Sequence, residues 1–131
     1  MSMTVTNIDL GYVFLKSGPG KDELLTFAAA GTVKAGTILA RSSATGKLVP
    51  YATAGADGAS VVKYVAGYDI VATAAGDVPV RLPQGGEVVF ERLIISADGD
   101  NSNITNAIRD ALRAQGFVPC DVEQLARLDN Q

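Results

Sequence analysis

The chain has 131 residues, 47% apolar, 19% charged and 6% aromatic, with a formal net charge of −3 and no histidine or tryptophan. That length suits one domain with a modest core, and the lack of histidine excludes Ser-His-Asp and Cys-His catalysis and His-ligated metals. Scattered Lys and Arg residues form no basic track for phosphates, which argues against nucleic acid, and the single cysteine, Cys120, has no partner within the chain for a disulfide and reads as a thiol in a reducing compartment.

The chain opens without a basic stretch followed by an apolar one, and no apolar run approaches the ~20 residues of a membrane span. The expectation is a soluble protein made in the cytosol, with no membrane partner. Residues 1–11 read as a flexible N-terminal arm. Ser2 to Leu10 is rich in Thr and Asn, carries Val5, Ile8 and Leu10, lacks helical period and stops at Gly11. Tyr12-Val13-Phe14-Leu15 is a short apolar run that Ser17-Gly18-Pro19-Gly20 breaks with turn residues. Leu24 to Ala29 suits a strand. Within Gly31 to Ala40 a glycine-bounded turn at Lys34 to Gly36 lies between β-branched residues. Thr37 to Arg41 and Lys47 to Tyr51 read as strands joined by a hairpin loop, Ser42 to Gly46. Pro50 lacks an N–H, which predicts an edge or a bulge there.

Ala52 to Ser60 is a loop rich in Gly, Ala and Asp. Val61 to Val71 reads as one strand, with Val62, Tyr64, Ala66, Tyr68 and Ile70 on a buried face. Tyr51, Tyr64 and Tyr68 fit either the core or an interface, and their apolar strand setting favours the core. Val78, Val80 and Leu82 alternate in a strand that Pro79 and Pro83 confine to an edge or interrupt. Gln84-Gly85-Gly86 turns the chain into a last strand, Glu87 to Ile95. Asp98 to Asn103 is a polar loop. Ile104 to Gln115 has helical period, with Ile104, Ile108, Ala111 and Leu112 on one face. Asn103 or Ser102 is the expected N-cap and Gly116 the C-terminal cap. Val118 and Pro119 lead to Asp121, which with Gln124 can form a capping box for a short final helix bearing Val122, Leu125 and Leu128. The helical segment is thus placed at 104–128. No repeat or long linker divides residues 12–131, so a single domain is expected. The fold class is mainly β with a C-terminal helix (α+β), built as a small β-barrel-like body.

Few motifs offer chemistry. Gly18-Pro19-Gly20-Lys21-Asp22 is only superficially similar to the end of a P-loop, because Leu15 and Asp22 stand where Gly and Ser or Thr are needed. Asp98-Gly99-Asp100-Asn101-Ser102 opens like a calcium loop, but Asn103 and Arg109 replace the required Gly and Glu. Asn103-Ile104-Thr105 fits a glycosylation pattern that has no meaning without secretion. Asp57, Asp69, Asp77, Glu87 and Glu91 show no spacing that singles out an acid/base pair. Gly31 to Ala40 is similar to a hairpin of biotinyl and lipoyl carrier domains. Lys47 would be the modified residue, although Thr45-Gly46-Lys47-Leu48 lacks the usual neighbours. No catalytic, cofactor-binding or metal-ligating residue is assigned.

Taken in order, four segments resemble the lambda-type bacteriophage head decoration (capsid cement) protein family. They are Val33-Lys34-Ala35-Gly36-Thr37-Ile38-Leu39 within Gly31 to Ala40, and Gly46-Lys47-Leu48-Val49-Pro50-Tyr51. The third is Asp57-Gly58-Ala59, then Val65-Ala66-Gly67-Tyr68-Asp69-Ile70 and Ala74-Ala75-Gly76-Asp77-Val78-Pro79-Val80. The fourth is Ile108-Arg109-Asp110-Ala111-Leu112-Arg113-Ala114-Gln115-Gly116-Phe117. The likeness runs from about Leu10 to Pro119, and the segment from Asp121 to Gln131 departs from it. The resemblance implies a structural protein rather than an enzyme. It implies a homotrimer on the outer surface of the phage head, with the major capsid protein as partner and an N-terminal arm reaching the shell. Thr4, Val5, Thr6, Ile8 and Leu10 are the candidate capsid contacts. The alternatives are a biotinyl/lipoyl-like carrier, another β-barrel binding module, or a small β-barrel enzyme with a deep polar pocket.

Overall fold

Leu24, Leu25 and Phe27 mark a strand by their apolar spacing, and a computed structural model, which describes residues 13–120, places them in the longest ladder among those residues. Strand β1 is Phe14–Ser17, and β2 is Gly20–Phe27. Next come β3 (Gly31–Val33), β4 (Ile38–Arg41), β5 (Leu48–Pro50), β6 (Val62–Val65) and β7 (Ile70–Ala72). The chain continues through β8 (Gly76–Pro83), β9 (Gly86–Val89), a 3-10 turn (Phe90–Arg92), helix α1 (Asn106–Ala114) and β10 (Phe117–Cys120).

These strands form a five-stranded sheet in the order β6-β4-β5-β2-β8, a three-stranded sheet β1-β9-β10 and the pair β3-β7. The mainly β body with one helix matches the expected class, but the sheets do not close into a barrel. Strand β2 pairs antiparallel with β8 along its whole length, from Gly20 opposite Pro83 to Phe27 opposite Gly76. Alternation sends Leu25 and Phe27, with Val80 and Leu82, into the core. Asp22, Leu24 and Thr26 turn outward beside Arg81, Pro79 and Asp77. There Arg81 donates to Asp22 at 2.9 Å and Thr26 to Asp77 at 2.8 Å.

Strand β8 lies at the sheet edge, as its prolines require. Backbone groups alternate along an antiparallel strand, so Pro79, Arg81 and Pro83 aim their nitrogens away from β2. Two of these carry no hydrogen, and the Arg81 N–H donates to the Tyr68 hydroxyl at 3.2 Å. Pro50, in contrast, is in an interior strand. Strand β5 touches β2 only at Leu48, opposite Leu25, so Pro50 pairs with Leu39 of β4 and owes no hydrogen bond to the other side.

Two long strands expected from alternation are broken. Val61 to Val71 splits into β6 and β7, which belong to different sheets. Alternation holds from Val62 to Tyr64, Val65 and Ala66 are both buried, and then Gly67 and Asp69 turn the chain, with the Asp69 carboxylate accepting from Ala35 N at 2.8 Å. Tyr68 therefore leaves the core and is 45% exposed, whereas Tyr51 and Tyr64 are buried as expected. Glu87 to Ile95 ends as a strand at Val89, and the 3-10 turn carries the chain across to β4. There Ile38 N donates to Ile94 O at 2.9 Å and Ile94 N to Gly36 O at 2.8 Å. Gly31 to Ala40 is not a hairpin, because β3 pairs with β7. The hairpin between β4 and β5 does form, around Ser42 to Gly46.

Helix α1 is shorter than its apolar period suggests. Its N-cap is Thr105, not Asn103 or Ser102, which lie in the turn that precedes it. The Thr105 hydroxyl accepts from Ile108 N at 3.3 Å. Thr105→Ala is expected to cost about 1 kcal/mol, read from the urea midpoint; an unchanged midpoint would deny the cap any role. Ile108 and Leu112 are buried, and Ile104 and Ala111 pack beside them. Gly116, at φ 91°, closes the helix as expected, and its N–H donates to Arg113 O at 2.9 Å. Arg109 stacks over Phe90 at 3.8 Å from the ring centroid, fixing the helix to the 3-10 turn. Phe117 meets Phe14 edge-on at 6.0 Å between ring centres.

Val118 and Pro119, expected to lead into a final helix, are instead part of β10. The helix expected from Asp121, and the arm of residues 1–11, lie outside the described residues.

Candidate functional site

Gly116 reverses the chain at the end of α1, and the apolar run Phe117-Val118 that follows is long enough for one short strand. That strand, β10, pairs parallel with β9, from Phe117 opposite Gly86 to Cys120 opposite Val89. On the other side of β9, β1 runs antiparallel, with Ser17 opposite Gly86 and Phe14 opposite Val88. Val89 N donates to Val13 O at 2.7 Å. The first and last described segments therefore flank the same end of β9. Of the predicted capsid-contact residues, Thr4, Val5, Thr6, Ile8 and Leu10 lie outside the described residues, so the structure positions only the point from which they extend.

The other candidate groups have structural partners. Gly18 N donates to Gly85 O at 3.0 Å, and a Cβ at Gly18 would lie 2.6 Å from Gln84 O, so the P-loop-like segment is a tight turn. Asp100 accepts from Ser102 N at 2.9 Å, and its hydrogen bonds with Ser102 hold its carboxyl below the usual range. Lys47, the carrier-type candidate, is half-exposed beside the β4–β5 loop and donates to Asp77. The Asp77 carboxyl is lowered by that bond and by the one from Thr26. Asp69 caps the Lys34 turn.

Glu23 and Arg41 form the densest charged cluster among the described residues. The two guanidinium nitrogens of Arg41 donate to Glu23 Oε1 at 3.0 Å and Oε2 at 2.7 Å. The Tyr64 hydroxyl donates to Oε2 at 2.9 Å. Arg41 also holds Gly46 O at 2.9 Å. The Arg41 hydrogen bond keeps the Glu23 carboxyl below its ordinary value against the opposing effect of burial. Burial and the Glu23 bond push the Tyr64 hydroxyl up. This cluster joins β2, β4 and β6 where β5 is too short to bridge them, and it borders an open polar cleft of about 430 Å³ that Lys63, Gln84 and Gln115 also line. With its acid and base locked to each other, the pair is built to hold the sheet together.

A family model for bacteriophage lambda head decoration protein D matches residues 4–117. The chain belongs to this family. Head decoration proteins are structural parts of the exterior of the phage head. No curated protein and no solved structure matches the chain. The family match takes in all five candidate arm residues and ends at the first residue of β10. Sequence reasoning missed β10 itself. The signal was present in the left-handed glycine followed by an apolar pair, but Pro119 disguised it as a helix lead-in.

Proposed function

We propose that this decoration protein binds the outside of the expanded capsid as a homotrimer, through Thr4, Val5, Thr6, Ile8 and Leu10, and stabilises the shell against the pressure of packaged DNA. It acts as a structural cement and not as an enzyme, with the major capsid protein as its partner. The observation that carries the reading is the family match, which begins at residue 4 and so includes the arm.

The physical case rests on strand addition. An extended arm laid along an exposed sheet edge gains main-chain hydrogen bonds, and its alternate side chains set register. Ordering each arm residue costs roughly 1–2 kcal/mol of backbone entropy. Each hydrogen bond returns about 1 kcal/mol. Burying Val5, Ile8 and Leu10 returns roughly 1.5–3 kcal/mol apiece. A single arm is thus close to balance. Three arms on one trimer bind far more firmly, because the second and third engage at high effective concentration.

Co-sedimentation with expanded, empty capsids of the source phage tests this. The full chain is expected to bind saturably, and deletion of residues 2–10 to abolish binding while the body stays folded. Undiminished binding by the deleted chain would remove the arm from the mechanism.

A further inference from the structure

We propose that the polar cleft bordering the Arg41–Glu23 pair is a carboxylate-binding site, with the Lys63 ammonium and the Gln84 and Gln115 side-chain amides as its donors, and that it takes a glutamate side chain presented by a neighbouring polypeptide. The cleft is lined by Arg41, Lys63, Tyr64, Gln84, Gln115 and Phe117. An irregularity in β6 puts the lysine there. Leu39 of β4 stands opposite Tyr64 and Ala40 opposite Val62, so Lys63 is one residue too many for the ladder. A bulge of this kind re-aims a side chain. In regular pleating Lys63 and Tyr64 would face opposite sides of the sheet, yet both line this cleft.

The donors are uncommitted. Among the described residues Lys63 has no hydrogen bond or ion pair, and the side-chain amides of Gln84 and Gln115 have no hydrogen bond. The end of α1 makes no claim on the lysine, because the Ala111, Leu112 and Arg113 carbonyls already accept from the Gln115 and Gly116 N–H groups. Charge selects the ligand. Arg41 is neutralised by Glu23, and Lys21, 3.8 Å from the same carboxylate, lies outside the cleft lining. That leaves the one charge of Lys63 to be matched, which suits a carboxylate better than a phosphate of nearly two charges. Size selects the carrier. The cleft, at about 430 Å³, holds far more than a carboxylate head, whose bulk is that of a few waters at roughly 30 Å³ each. An exposed ion pair alone is weak in water, so the ligand is held by the chain that bears it, through the side-chain stem and flanking backbone.

The side-chain amide NMR signals of Gln84 and Gln115 in the full chain read the site directly. The probes are sodium acetate, inorganic phosphate, a terminally blocked pentapeptide with glutamate at its centre, and the same peptide with glutamine there, all at constant ionic strength. The glutamate peptide is expected to give saturable shifts at both amides and to bind at least about tenfold more tightly than acetate or phosphate. The glutamine peptide is expected to give none. Lys63→Gln should weaken the glutamate peptide at least about tenfold with an unchanged thermal midpoint, since Lys63 holds no described residue. Gln115→Ala, at an exposed position, repeats the test from the helix end and should weaken the same peptide. Equal shifts with the two peptides, or undiminished binding in both variants, would overturn the site. Acetate binding as tightly as the glutamate peptide would overturn the polypeptide source in favour of a free small carboxylate. Tighter binding of phosphate would overturn the choice of carboxylate.

Discussion

Gly36→Ala is expected to lower stability by about 3 kcal/mol or more, enough to unfold a domain of ordinary marginal stability. Gly36 sits at φ 95°, and an added Cβ would lie 1.9 Å from the backbone oxygen of Arg92. Neither partner can yield cheaply. Gly36 N donates to Ala66 O at 2.8 Å, and Gly36 O accepts from Ile94 N at 2.8 Å. The residue is the point where the turns before β4 and after β6 and the crossing from the 3-10 turn close on one another. Gly46→Ala provides the comparison. Gly46 also has positive φ, at 74°, but open space surrounds its Cβ position. It should cost only the conformational penalty, about 1–2 kcal/mol. Urea unfolding of both variants separates clash from backbone preference; equal losses would show that the close approach to Arg92 carries no weight.

Arg41→Met should be nearly as damaging, at about 2–4 kcal/mol near neutral pH, because it leaves Glu23 charged and largely shielded with only the Tyr64 hydroxyl and the exposed Lys21 ammonium, at 3.8 Å, to answer it. The same pair sets an acid dependence. The Glu23 carboxyl is held below its ordinary 4.5 chiefly by the Arg41 hydrogen bond. A depressed carboxyl stabilises the fold fully above its unfolded-state pKa, and that contribution is lost as pH falls through the folded-state value. The parent protein should therefore lose stability below about pH 4.5 as this carboxylate is protonated. In Arg41→Met the difference from parent should shrink across that same window. Urea midpoints of both proteins from neutral to acid pH are the measurement. A gap that stays constant to the acid end would mean that the ion pair does not set the dependence.

The parts of the fold legible in the sequence are those where a single local rule operates. Thr37 to Arg41, the Ser42 to Gly46 loop and Lys47 to Tyr51 form the hairpin that alternation and turn chemistry predict. Val80 and Leu82 point inward from an edge strand, and Ile108 and Leu112 bury one helix face. The sequence misled wherever two neighbouring segments answer to different sheets. Val61 to Val71 keeps its apolar alternation across a turn because both halves need an inward face, and period alone does not show that the faces belong to separate sheets. Past the exposed Glu91 and Arg92, Leu93 to Ile95 is apolar again because Leu93 and Ile95 fill the core from an irregular crossing and not from a strand. The arm expected at residues 1–11 rests on composition and family likeness and lies outside the described residues. The common exit of the first and last described strands was hidden because it depends on β9 lying between β1 and β10, a pairing of high sequence separation that no local pattern encodes.

A protein displayed in many copies side by side faces a hazard, since an open sheet edge on one molecule is an acceptor for an exposed strand of the next. Many copies crowded on one head would meet such edges continually. The outer edge of β8 answers this with chemistry that dilution or salt cannot change. Between Pro79 and Pro83 the Arg81 N–H is the one outward donor, and the Tyr68 hydroxyl already occupies it. A neighbouring strand laid there would find carbonyls with nothing to donate in return, so its pairing would be one-sided. The half-exposed Tyr68, which looks like a misplaced core residue when read from alternation, serves as the stopper on the β2-β8 strand pair. Growth by edge-to-edge stacking is thereby closed along β8, while the opposite sense of β1 and β10 has the chain enter β1 and leave β10 at the same end of β9.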